Sequence, residues 1–263
     1  MKLLLMPDNY QQIIENYNQI TGIIVGIKQL SCHVPFLLTE DEIAGFLKKH
    51  SDKDIFFCLN ENYQEDDLPY LKKILKKLQK QNVLFYDLAV VNLNHDLSLK
   101  LNLFWDNERY TTNNNSFRLL QTYGVKGMVV SLDLNIKENQ ALAKHKSGIF
   151  LQPIFGYFPL FHAHRHLIKN FFEYYQINEK MDQLKLIVND RHLLITDDNK
   201  TTIYSELING FNLIKKMSHI DYFVINGFNI DNDDLKKVLT ENLAIGSDAI
   251  FFQQQQYRLK GEK

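Results

Sequence analysis

Eight short apolar runs recur along the chain, and the stretch after most of them has helical spacing. This alternation constrains the fold more than any other feature. The runs are 3–6, 22–27, 54–59, 83–91, 99–104, 127–133, 148–155 and 222–225. Between them, apolar residues return every three or four positions, as Leu71, Ile74, Leu75 and Leu78 do within 67–81. Runs such as GIIVGI at 22–27 have no polar face, the pattern of a strand buried on both sides. Repeated strand–helix units with short connections predict a parallel sheet covered by helices. Eight of them in 263 residues fit a TIM-type (β/α)8 barrel, regular or distorted, better than an open sheet. With no Pro/Gly/Ser linker and no internal repeat, residues 1–263 read as a single domain.

Local signals refine this outline. Thr39 followed by Glu42 caps a helix through Lys49. Further helices are expected at 115–123, 137–144, 205–217 and 231–243. The stretch LKLIVNDRHLLIT at 184–196 reads as a hairpin with a polar turn.

Several function classes are disfavoured at this level. No G-x-G-x-x-G follows the first strand, and no phosphate-binding loop is present. A net charge of −1 offers no global field for nucleic acid or an anionic membrane. An RNA contact would have to be local, through the lysine-rich run 72–80, which also reads as the solvated face of a helix. No apolar run approaches the ~20 residues of a membrane helix. The two cysteines, Cys32 and Cys58, suggest no disulfide framework, which fits a cytoplasmic protein of bacterial style.

Polar residues just past the ends of barrel strands are where such folds keep their chemistry. The segment 148–175, GIFLQPIFGYFPLFHAHRHLIKNFFEYY, is the richest. It runs as a strand, turns at Gly156 and brings His162, His164, Arg165 and His166 together before an aromatic helix. His162, His164 and His166 are two apart, a strand spacing that would place them on one face and let them hold zinc with Cys32 as a fourth ligand. A helix starting there would point them apart, and hydrogen-bonded histidines are the plainer expectation. The expected site takes in Cys32, Trp105, Arg109, His162, His164 and Arg191 for substrate. Arg165 would bind an anion and His166 would move a proton.

The same segment resembles the signature region of the peptidase U32 family, the collagenase-like peptidases. The resemblance is carried by an apolar strand, Gly156, Pro159–Leu160 and Arg165 before a helix. It extends to Ile187-Val188-Asn189-Asp190-Arg191, to Thr202-Ile203-Tyr204-Ser205 and to the strand end at 129–135. Two positions depart from the family pattern: Leu151 stands where the family has Glu, and His166 where it has Cys after the arginine. Hydroxylase branches of the family hold an iron–sulfur cluster on four cysteines and modify ubiquinone precursors or RNA bases. Cys32 falls where the ubiquinone branch has its first cysteine, but two cysteines cannot build an all-cysteine cluster in one subunit.

The resemblance thus implies a divergent member with no cofactor of its own. One reading is a substrate-binding or partner subunit beside a related family subunit, or a homodimer, of the nucleobase or tRNA hydroxylation type. A second is a collagenase-like peptidase. A third is a barrel that binds a small carboxylate through Arg165 or Arg191.

Overall fold

The computed structural model of the chain describes residues 1–106, 113–144, 146–163, 165–178, 181–188, 191–197, 201–241 and 243–252. Eight parallel strands form its centre: β1 (Leu3–Met6), β2 (Gly22–Ile27), β3 (Asp54–Leu59), β4 (Asn82–Phe85), β5 (Asn102–Trp105), β6 (Val125–Val129), β7 (Ile149–Gly156) and β8 (Tyr222–Asn226). Each pairs with its sequence neighbour, and β1 pairs with both β2 and β8. The ring is therefore closed, a (β/α)8 barrel as the alternation predicts.

Two apolar layers hold it together. Outside the strands, residues such as Leu5, Val25, Phe57, Phe85 and Met128 pack against helix residues such as Ile43, Leu71 and Leu75. Inside the ring, Leu4, Ile24, Phe56, Leu84, Phe104 and Leu151 form a second buried cluster. Side chains on a strand alternate between these layers with a period of two. Phe56 and Phe104 meet edge-on at 5.0 Å and fill the barrel centre. Gly127 makes room for them, because a Cβ there would lie 2.6 Å from Phe104 Cδ1.

Between β7 and β8 the chain leaves the barrel and builds a second, antiparallel sheet. Its strand order is Gln183–Val188, Arg191–Asp197, Thr201–Tyr204, Pro159–Ala163. The expected hairpin forms its first two strands. A helix, Leu167–Tyr174, packs against Arg191–Asp197. The departure point is Gly156, whose φ of +117° and closeness to Asn226 O leave no space for a side chain. The small sheet is tied back where Ser205 N–H donates to Phe158 O at 2.8 Å and Phe158 N–H donates to Ser205 Oγ at 3.1 Å.

Three local expectations are corrected. The run 83–91 is a strand only to Phe85, because Asp87 Oδ1 accepts from Ala89 N–H and starts the helix Ala89–Asp96. The fifth strand is Asn102–Trp105 rather than 99–104. The stretch 205–217 is not one helix. Ile208–Asn209 pairs antiparallel with the end of β7, and Gly210 N–H donates to Ile154 O, so only a 3-10 segment, Phe211–Lys216, remains. Tertiary pairing overrides the helical spacing there.

Candidate functional site in the barrel mouth

At the C-terminal end of the strands the interior cluster gives way to a cavity of about 100 Å³. Its walls are apolar: Ile24, Leu84, Val129, Leu132, Phe158 and Val224. Its polar groups are Cys58, Asn60, Asp106, Asp133, His33 and Ser205. An apolar pocket with a few convergent polar groups is the usual form of a small-molecule site.

Asp106 follows β5 directly, and its N–H continues the ladder by donating to Phe85 O at 2.8 Å. Two residues after the inward Phe104, its carboxyl turns into the cavity. Burial among apolar walls pushes that carboxyl up to about 6, and the Cys58 thiol, which donates to Oδ2 at 3.7 Å, pulls it partly back. An acid in this range exchanges its proton near neutral pH.

The rim is built by the loop after β2. Ser31 Oγ accepts from Ile27 N–H at 2.7 Å and donates to Cys58 O, locking the loop onto β3. Cys32 is held against Asn60: its N–H donates to Oδ1 at 2.9 Å and its thiol to the carbonyl at 3.2 Å. His33 adopts a left-handed φ of 57°, and its ring meets His162 of the small sheet edge-on at 4.6 Å. Thr202 Oγ1 lies 3.5 Å from His33 Nδ1 and 3.4 Å from His162 Nδ1. Cys32, His33, Glu61, Asp8 and His162 line an open groove of about 570 Å³ between rim and small sheet. Burial raises the Asp8 carboxyl, and a backbone contact from Asn229 opposes the shift.

The expected site residues divide by location. Cys32 and His162 are brought together in the rim groove. Trp105 points outward and packs on the helix layer, because it alternates with Phe104 and Asp106. Arg165 is exposed. His166 stands at the start of the helix Leu167–Tyr174, its Nδ1 3.1 Å from Asp197 Oδ1, in a different groove from His162. Burial alone would raise the Asp197 carboxyl, but donors at Lys169 N–H, Thr201 and His166 outweigh it and hold it below its ordinary value. Arg109 and His164 lie outside the described residues, as does the side chain of Arg191. His162 and His166 therefore do not converge. Among the described residues, no group of three or more His, Cys, Asp and Glu is placed to hold a metal ion.

Asp106 and Cys58 are the residues that sequence reasoning passed over. Cys58 lies inside the apolar run 54–59 and Asp106 stands just past a strand end, and neither is among the expected site residues. The usable signal was the period of two that begins at the large interior rings, Phe56 to Cys58 and Phe104 to Asp106.

The model of peptidase family U32 matches residues 10–241, from the helix after β1 to the helix after β8. The chain belongs to peptidase family U32. A comparison with curated proteins finds no match. The cluster of the family's hydroxylase branches does not fit the donors present here. Cys58 faces Asp106 inside the barrel, Cys32 is bonded to Asn60 on the rim, and no third cysteine exists. Among the described residues, no helix is long and apolar enough to cross a membrane.

Proposed function

We propose that this U32 protein binds a single-ring, largely apolar ligand in the barrel mouth, with Asp106 as the polar anchor. It would serve as a cluster-free substrate-binding subunit beside a cluster-bearing relative of the nucleobase or tRNA hydroxylation type, in a reducing cytoplasm. The supporting observation is the cavity itself. An apolar cavity of roughly 150 Å³ accepts benzene, and this one, at about 100 Å³, is of similar order and carries one half-buried acid whose carboxyl is pushed up to about 6. Protonated, Asp106 donates to a ring carbonyl or nitrogen; ionised, it accepts from a ring N–H or O–H. Cys58 keeps Oδ2 oriented in both states.

Calorimetry with benzene, phenol, 2-pyridone and uracil tests this reading. Saturable binding that Leu132→Trp abolishes is expected. No binding by any of them would overturn it. The subunit role is tested separately, by co-purification with a cysteine-rich relative from cells that make both. Failure to associate would remove that role and leave the ligand site standing.

A hydrolytic reading has one observation in its favour. Asp106 and Asp133 line the same cavity, and two carboxyls of unlike environment form an acid–base pair in several hydrolases. Against it, the cavity admits one side chain rather than a length of peptide backbone. Gelatin cleavage by pure protein, lost in Asp106→Asn, would favour the peptidase.

A further inference from the structure

The small sheet ends on one side in the strand Gln183–Val188, which pairs with Arg191–Asp197 and, among the described residues, with nothing on its outer edge. This edge lacks the usual protection. It has no proline, one charge at Lys185, and exposed apolar side chains at Leu186, Ile187 and Val188. Natural proteins block, twist or charge such edges, because the free N–H and C=O groups template pairing with another chain. The same helix-and-sheet unit exposes Phe171, Tyr174 and Tyr175 at 51%, 80% and 60%.

We infer that this edge is the interface of a two-fold symmetric dimer of the chain, formed by antiparallel pairing of Gln183–Val188 with its copy. Symmetry limits the register. A two-fold axis normal to the sheet pairs residues whose numbers sum to an even value, so one residue must face itself. Centring on Lys185 would set two lysines opposite each other, which is unfavourable. Centring on Leu186 pairs Leu186 with Leu186, Leu184 with Val188, and Lys185 with Ile187. Leu184, Leu186 and Val188 lie on one face, so the join gives that face an unbroken apolar ladder. The area is sufficient. Aromatic side chains bury roughly 150–250 Å² each. The three exposed rings, on the helix beside Arg191–Asp197, together with Met181 and the edge residues Leu186, Ile187 and Val188, offer an apolar surface on the order of the ~800 Å² per partner of a standard interface.

Light scattering on the intact protein at micromolar concentration tests the dimer. The expected mass is two copies of 31.0 kDa. A monomer would overturn the inference. Leu186→Glu should dissociate the dimer with an unchanged circular dichroism spectrum, whereas Lys72→Glu should not. Should Leu186→Glu misfold, Leu186→Cys supplies the second test. The self-facing position should form an inter-chain disulfide on mild oxidation, while Leu184→Cys and the wild type should not. A dimer that survives Leu186→Glu, or an unlinked Leu186→Cys dimer, contradicts this register and edge.

Discussion

The Cys58 thiol donates to Asp106 Oδ2 at 3.7 Å, joining the inner faces of β3 and β5 across the barrel mouth. One strand, β4, lies between a bland core cysteine and a bland loop aspartate, and the curvature of the ring makes them one polar pair in an apolar cavity. The proposed ligand site is built around this pair.

Its first consequence is a pH dependence of stability. The Asp106 carboxyl rises from 3.8 to about 6 on folding. Its contribution is therefore fully present below pH 3.8 and is lost as pH rises through 6. The loss is at most about 3 kcal/mol, at roughly 1.4 kcal/mol per unit. Asp106→Asn should remove it, so that variant should unfold at higher urea than the wild type at pH 7.5 and show a smaller advantage at pH 4.

Binding should follow the same group. A ligand that accepts a hydrogen bond from the acid should bind tightest below pH 6 and lose about tenfold for each unit above it. A ligand that donates should behave in the opposite way. Calorimetry with acetophenone, which only accepts, across pH 5–8 should show affinity falling above pH 6, and Asp106→Asn should flatten the profile.

Asp197 carries the opposite sign. Its carboxyl is held below 3.8 by Lys169 N–H, Thr201 and His166 against the cost of burial. The stability it supplies is present above pH 3.8 and is lost as pH falls below that value. Asp197→Ala should cost about 1–3 kcal/mol at neutral pH, as removal of a buried, bonded carboxylate does. Hydrogen exchange should place the loss in the helix Leu167–Tyr174 and its sheet, with the barrel strands unaffected.

The barrel centre should tolerate least. Phe56→Ala removes a buried ring that packs on Phe104 at 5.0 Å and on Tyr222 at 5.5 Å. A cost of about 3–5 kcal/mol is expected in chemical denaturation.

All eight barrel strands were legible in the sequence, because strands buried on both faces read as continuous apolar runs and each helix keeps its own period. The hairpin at 184–196 was legible from its turn. The helix expected over 205–217 was not there to be read. Gly210 and the pairing of Ile208–Asn209 with β7 depend on a neighbour more than fifty residues away in the chain. The candidate site was less legible than the fold. The structure brings His162 and Cys32 together in the rim groove, whereas Arg165 and His166 drew attention by their density, and the structure puts Arg165 in solvent and His166 on Asp197. Asp106 and Cys58 meet in one cavity only when the strands curve into a ring, and residue type alone does not signal that.

The most direct test is a ¹³C NMR titration of the Asp106 carboxyl in the ligand-free protein, assigned by comparison with Asp106→Asn. A midpoint close to 6 is expected, moving when a single-ring compound is added. A midpoint near 3.8 that no such compound shifts would mean that water reaches the carboxyl freely and that the barrel mouth is not a binding cavity.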